Sequence, residues 1–524
     1  MKASVLWSVW LPAYVLGQDP GLPVKNPTIS YWQLPPNKHV SDHQSKHLPK
    51  EVDIVIIGSG ISGTSVAWHL LKEGNWTKDN VPRIAMLEAR KACSGATGRN
   101  GGHIRPSSYS EYAEAKTEFS KSEAAKITKL RAAHIEALIS AANQLPEEGR
   151  LAAEARTVDS VDAFFDDEQW STAVEQLEVL KREVPELGKE FTQFNKTEAR
   201  EISLLAETVG ILTGTPQIAG AIWPYRFVTY ALKMLLDDFP TFSLDTSTPA
   251  YNVTAINDTS VPFNYEVTTP RGVILTNNVV YASNAWTPHF VPGLGGFISG
   301  GRLHMSAQIG GAGLPEAGHW PDYTGNGSLP GGRAWSLFRN GLDYAVQMPR
   351  TGVYMFGGDV GLAFNRGIDM DDSRNPDHIS VSYLNGALPN YFGYKTWGTE
   401  KVNTAADSVP PGAYPGRSRR VWTGIEGHSG DGRPFVGRIP EAVTSRTTQN
   451  RTLGGEWVAA AYDGEGMCFA WLSGRALSQM VRSGQESHVP DWFPKSFLIT
   501  EERMKEKPAE PRRLGRRGLF KWIR

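Results

Sequence analysis

The first strongly patterned stretch of the chain is Val52-Asp53-Ile54-Val55-Ile56-Ile57, a β-branched run too short for a helix and suited to a parallel strand buried on both faces. The residues before it, 18–50, are rich in Pro, Asn, His and Ser and read as an extended arm. Apolar residues then recur at helical spacing from Thr64 to Leu71, and Ile84-Ala85-Met86-Leu87 forms a second short strand run ending at Glu88. Glu111 to Leu145 is rich in Ala, Glu and Lys and lacks Gly and Pro, which predicts one long helix. An amphipathic segment from about Glu168 to Val184 stops at Pro185, and Tyr225 to Phe239 follows Pro224 as a third helix.

From Phe263 the texture changes. Tyr265–Thr268 and Val273–Thr276 flank Thr269-Pro270-Arg271-Gly272, a hairpin signature, and Val279–Ala282 reads as a further buried strand. Between about 300 and 440 short strand candidates alternate with Gly/Pro turns. In Asp343–Met348 the alternation places Tyr344, Val346 and Met348 on one face and Ala345 and Gln347 on the other. The pattern predicts an α/β (α+β) fold with an antiparallel second layer and a chain that passes between layers more than once.

With 524 residues the chain exceeds what one compact core holds, so interleaved domains are expected. A formal charge of -1 provides no global positive field for nucleic acid. Two cysteines, Cys93 and Cys468, exclude a disulfide scaffold and any four-cysteine metal site and leave open a single disulfide. Residues 1–17, with Lys2 and the apolar run Val5–Leu16, read as a secretory signal cut near Gly17; the alternative is an arm whose tryptophans pack on the domain, in a cytoplasmic protein. Six N-x-S/T triplets, at Asn75, Asn195, Asn252, Asn257, Asn326 and Asn450, favour a secretory route and a glycoprotein. No apolar run is long enough to span a bilayer. The tail from Lys505 to Arg524 carries eight basic and two acidic residues and reads as solvated.

The candidate chemistry begins at Gly58-Ser59-Gly60-Ile61-Ser62-Gly63, directly after the first strand and opening the first helix. The first glycine permits the tight turn, the second lets a pyrophosphate approach the backbone, and the third lets helix and strand pack closely. The helix N-terminus offers amide donors to the phosphates. Glu88, twenty-five residues after Gly63, is placed to accept ribose hydroxyls, and an acid there disfavours a 2′-phosphate. Strand, glycines, helix, strand and acid in this order specify a dinucleotide site.

Beyond Glu88, Ala89 and Arg90 comes Cys93-Ser94-Gly95-Ala96-Thr97-Gly98-Arg99-Asn100-Gly101-Gly102-His103. This run resembles the D-amino-acid oxidase-like family of FAD-dependent oxidoreductases, in particular the branch with glycine, sarcosine and γ-glutamylputrescine oxidases. Tyr251–Ile256, Val279–Trp286, Gly424–Gly427 with Asp431–Gly437, and Trp457–Met467 match further family segments in the same order. The resemblance implies a Rossmann-like FAD-binding domain (about 51–110, 205–300 and 420–483) interleaved with an antiparallel-sheet substrate layer (about 150–204 and 300–420). A C-terminal extension, 484–524, follows.

It also implies the cofactor contacts: Gly58, Gly60, Ile61, Ser62, Gly63, Glu88, Ala89, Arg90, Ser94, Gly95, Ala96, Thr97, Asn100, Gly101, Gly102, Val253, Asn284, Gly464, Gly466 and Met467. The last three form a tight turn and helix start whose amides stabilise a reduced, anionic flavin. FAD is expected to be non-covalent, because Arg99 stands where some relatives attach it through histidine, and Cys468 is read as a small buried thiol. Tyr344, His103 and Arg99 are the candidate catalytic residues, and His428 is a loop histidine near the site. The implied reaction is oxidation of a C–N bond of a small-molecule amine or amino acid, with O2 or another electron acceptor. Between Tyr344 and Asp359 there is Arg350 but no lysine of the kind that speeds oxygen use in such oxidases. Arg302 and Arg333 are candidates to anchor a substrate carboxylate. Two other readings stay open: a tailoring enzyme of secondary metabolism acting on C–C or C–O bonds, and a non-catalytic flavin-binding protein.

Overall fold

The computed structural model describes residues 19–323, 329–339, 341–358, 370–373, 376–401, 413–414, 416–448, 454–484 and 488–505. The expected signal, Asn326, Asn450 and all of the basic tail beyond Lys505 lie outside them. Asn75, Asn195, Asn252 and Asn257 are exposed. No helix among the described residues is long and apolar enough to cross a membrane.

Glu51–Ile57 lies at the centre of the first sheet, parallel to Gly272–Tyr281 on one side and Ile84–Leu87 on the other, with Phe242–Asp245 beyond. Alternation sorts its side chains between two cores. Ile54 and Ile56 pack with Val66 and Leu70 of the helix Ile61–Lys72, and Val55 and Ile57 face Val279 and Val458 on the opposite side. Burial on both faces accounts for the unbroken β-branched run. The expected hairpin is present, but its second arm and the next expected strand are one continuous strand, Gly272–Tyr281. Asn277 and Asn278 inside it do not break the ladder, because Asn277 Oδ1 accepts from Asn264 N and Asn278 Oδ1 accepts from Gly455 N and Trp457 Nε1.

The second sheet runs in the order Ser418–Ser429, Ile298–Ile309, Val353–Gly358, Leu342–Gln347, Arg333–Phe338, Asp159–Phe164, Gly210–Gly214, Phe191–Asn195. It is mixed rather than purely antiparallel, since Arg333–Phe338 pairs parallel with Asp159–Phe164. Gly210–Gly214 and Ser418–Ser429, both expected mainly within flavin-binding segments, pair in this second sheet. The face alternation around Tyr344 is as expected: Val346 and Met348 join one core and Ala345 the other.

The long helix expected over Glu111–Leu145 is two helices, Ser108–Glu118 and Lys121–Asn143. Ser120 interrupts it as an N-cap, its hydroxyl accepting from Glu123 N at 3.2 Å. The other two helices span Asp167–Glu183 and Pro224–Asp238.

The arm is not loose. Tyr31 and Trp32 are fully buried against Trp223, whose Nε1 donates to Trp32 O at 2.7 Å. Ser30 Oγ donates to Gly98 O, Trp32 Nε1 to Asn100 O, and Arg420 Nε to Ile29 O, so the arm crosses both the second glycine-rich loop and the second sheet.

Candidate flavin site

A long cavity of about 1400 Å³, its open mouth included, runs between the two sheets. One end is built by the first motif. Gly58 has φ of +114° and a Cβ there would meet Ala282 O at 2.5 Å; a Cβ on Gly63 would fall 2.0 Å from Gly58 O. Both glycines thus let the loop and the helix start close on the strand. The helix begins at Ile61, whose amide donates to Thr97 Oγ1 at 3.0 Å. Glu88 stands at the end of its strand, Oε2 accepting from Ser59 N and Oγ at 3.2 and 2.6 Å and Oε1 from Arg90 N at 2.9 Å. A carboxylate accepts about four hydrogen bonds, so it keeps capacity for a hydroxyl in the cavity.

The other end is walled by Leu303, Met305 and Tyr344 from the second sheet, by Gly424–Gly427, and by the turn Tyr462–Gly466. Ala461, Asp463 and Gly464 all have positive φ in this turn, and the helix Gly466–Ser483 starts from it. Asn284, itself at φ of +49°, accepts from Ala461 N at 2.9 Å, and Asp463 N donates to Gly427 O at 3.0 Å. These contacts aim the first turn of the helix, Gly466 and Met467, into the cavity.

Gly58, Gly60, Ile61, Ser62, Glu88, Ala89, Arg90, Gly95, Ala96, Thr97, Asn100, Asn284, Gly464, Gly466 and Met467 line this space. Gly63, Ser94, Gly101 and Gly102 stand behind it: Ser94 O accepts from Arg99 Nε at 2.7 Å, and a Cβ on Gly101 would strike the Tyr344 ring. Val253 is not part of the lining; its side chain is buried in the core across the first sheet, and Ala250 reaches the cavity instead.

The catalytic candidates fare differently. Tyr344 is on the wall, its hydroxyl 3.1 Å from Met305 Sδ. His103 lies behind it, ring centroids 6.5 Å apart, with burial and Arg105 pulling its pKa down to about 3, which keeps it neutral. Arg99 reaches the wall, but its guanidinium is committed to Thr28, Ser94 O and Thr423 O and lies 3.8 Å from Asp372. Arg90 donates to the same carboxylate at 2.9 and 3.1 Å. Arg302 and Arg333 do not line the cavity: Arg302 NH1 points at Asp371 O, and Arg333 is fully buried with Ile202 O, Pro321 O and Asp159. Arg350 is exposed at a turn.

A family model for FAD dependent oxidoreductases (DAO) matches residues 53–480. The chain belongs to this family. It is therefore an FAD-binding oxidoreductase of the DAO family, whose members generally hold the cofactor without a covalent bond. The glycine cradle, the Glu88 carboxylate and the helix start at Gly466 fit FAD. Cys93 and Cys468 are both free and buried.

Similar solved structures share the fold. They include an L-amino acid deaminase from Proteus vulgaris with a deleted insertion (TM-score 0.60, 14% identity, 89% of this chain and 98% of that one). An L-proline dehydrogenase from P. horikoshii has a TM-score of 0.57 at 18% identity over 86% of this chain and 98% of that one. A glycine oxidase from Geobacillus kaustophilus has a TM-score of 0.57 at 18% identity over 86% and 99%. No curated protein matches the chain.

Several lining residues of this oxidoreductase carried no signal of their own. Ser59 holds Glu88, Tyr462 OH lies 2.9 Å from Ser62 Oγ, and Leu22 and Pro23 come from the arm. Glu426 also lines the cavity, and His428 stands behind it with Nδ1 2.8 Å from Asp463 Oδ1. Burial opposes a charge on His428, but Asp463 and Glu426 outweigh it, so its pKa is raised. The stabilisation from this imidazolium is full below the ordinary histidine range and is lost as pH rises through the raised value. Asp463→Asn is expected to bring the His428 pKa down and flatten that part of the profile of melting temperature against pH; an unchanged profile counts against the coupling.

Proposed function

We propose that this oxidoreductase oxidises a C–N bond of a small amine or amino acid. The observation that carries the reading is the end of the cavity opposite Glu88, where Tyr344, Leu303 and Met305 face the turn and helix start at Gly464–Met467. When bound, FAD supplies a hydride acceptor at N5. The side chains do the rest. Met305 and Leu303 exclude water from the reacting carbon, and the Tyr344 ring, backed by His103, orients the donor. The amides opening the helix at Gly466 and Met467 stabilise negative charge developing at that end. The neutral His103 takes no proton in this scheme. The folds shared with a glycine oxidase and an L-proline dehydrogenase support the same class of substrate.

Anaerobic mixing of the FAD-loaded protein with a panel of amines and amino acids is expected to bleach its visible absorbance, and admitting air then reports whether O2 is the acceptor through peroxide. Reduction by alcohols or C–H donors alone points to the tailoring reading, and no reduction by any donor removes the catalytic one.

A further inference from the structure

The charged side chains lining the cavity among the described residues are Glu88, Arg90, Arg99 and Glu426. Glu88 is held by Ser59 and the Arg90 amide at one end. Arg90 and Arg99 share the one carboxylate of the buried Asp372, which offsets one of their two charges, and their remaining donors are turned to Ser94 O, Thr28 and Thr423 O. Glu426 is at the opposite end, on the strand Ser418–Ser429, and its ion-pair partner among the described residues is His428 Nε2 at 3.8 Å. Gly464 leaves room for this carboxylate: a Cβ there would come within 2.9 Å of Glu426 Oε2. The other charges acting on it are Asp463 and Glu465 on the adjoining turn, and Glu465 is itself paired with Arg131 at 2.5 Å.

Resting on the reading above, we propose that Glu426 receives the ammonium group of a cationic amine, so that the substrate is an amine with no carboxylate beside its reacting carbon. An α-carboxylate at this end would meet Glu426 as a like charge, and the donors of Arg90 and Arg99 are already occupied by Asp372, Ser94, Thr28 and Thr423. Burial, then Asp463 and Glu465, raise the Glu426 pKa, offset in part by His428, which suits the carboxylate to a proton as well as to a cation. The proton step is balanced: an N–H bond of the ammonium breaks, an O–H bond forms on Glu426, and the lone pair stays on the now neutral nitrogen. His428, oriented by Asp463, is a positioning residue for this carboxylate.

The test uses the FAD-loaded full chain and two non-reacting probes, tetramethylammonium and acetate, titrated by calorimetry and by perturbation of the flavin spectrum. Wild type is expected to bind the cation in preference to the anion. Glu426→Gln is expected to weaken the cation by about ten- to a hundredfold with melting temperature retained, and Glu426→Arg to reverse the preference. Cation affinity within twofold of wild type in Glu426→Gln, or acetate binding as tightly as tetramethylammonium to wild type, overturns the proposal. Its failure is distinct from that of the broader reading: if glycine and L-proline reduce the flavin as readily as benzylamine and putrescine, C–N oxidation stands and the cationic-substrate assignment falls. If the cation binds through Glu426 but no amine or amino acid reduces the flavin, Glu426 stands as a cation site while the C–N reading falls, and the amine-substrate assignment falls with it.

Discussion

Asp372→Asn is expected to destabilise the protein by about 3–5 kcal/mol, to free the arm to protease, and to lower flavin loading with it. Asp372 is fully buried, accepts twice from Arg90, and lies 3.8 Å from Arg99 Nε. Its carbonyl also accepts from Thr28 N at 2.8 Å and from Thr423 Oγ1 at 3.2 Å. Removing the charge leaves two buried guanidinium groups facing each other at the cavity wall without the carboxylate that separates them. Burial already draws the Arg99 pKa down to about 10 with the carboxylate in place. Chemical unfolding measures the loss, and limited proteolysis reads the arm. A melting temperature within a degree or two of wild type is incompatible with this account.

Gly63→Ala is expected to give folded protein that carries little flavin. The added methyl falls 2.0 Å from Gly58 O, a backbone atom, so either the helix start or the phosphate-facing turn has to move. Overpacking of this kind costs about 1–3 kcal/mol. Where it displaces amides from the pyrophosphate, that converts to roughly a ten- to hundredfold loss of flavin affinity. The ratio of flavin to protein absorbance after gel filtration reports it, alongside circular dichroism to show retained structure; a fully yellow, stoichiometric variant contradicts it.

The legible parts of the molecule are those whose determinants are close in sequence. Gly58–Gly63 and Glu88 meet because two short parallel strands end side by side, and both strands read directly from their β-branched runs. The assignment of roles beyond that motif depended on contacts that no local pattern encodes. Arg99 reads as a catalytic candidate in the second glycine-rich run, yet its guanidinium is bonded to Thr28 and Thr423, 71 and 324 residues away in sequence. Arg302 and Arg333, candidates to anchor a substrate carboxylate, lie on strands of the second sheet but donate to carbonyls away from the cavity. The split at Ser120 shows a capping hydroxyl overriding helix-forming composition on both sides. Glu426 lay within a quoted family match, but its meaning depended on the small residue opposite, Gly464, contributed by another segment.

The arm has a consequence for synthesis. Thr28 hydrogen-bonds to Thr423, 395 residues later, and Ile29 accepts from Arg420, 391 later. At about 5–20 residues per second, a ribosome takes roughly 20 to 80 s to extend from one partner to the other. Throughout that interval Tyr31 and Trp32 are already made while the strand that fastens their neighbours is not. Tyr31 and Trp32 have Trp223 and Asn100 to dock on much earlier, so the part of the arm left to be fastened last is Thr28 and Ile29, once the strand Ser418–Ser429 is made.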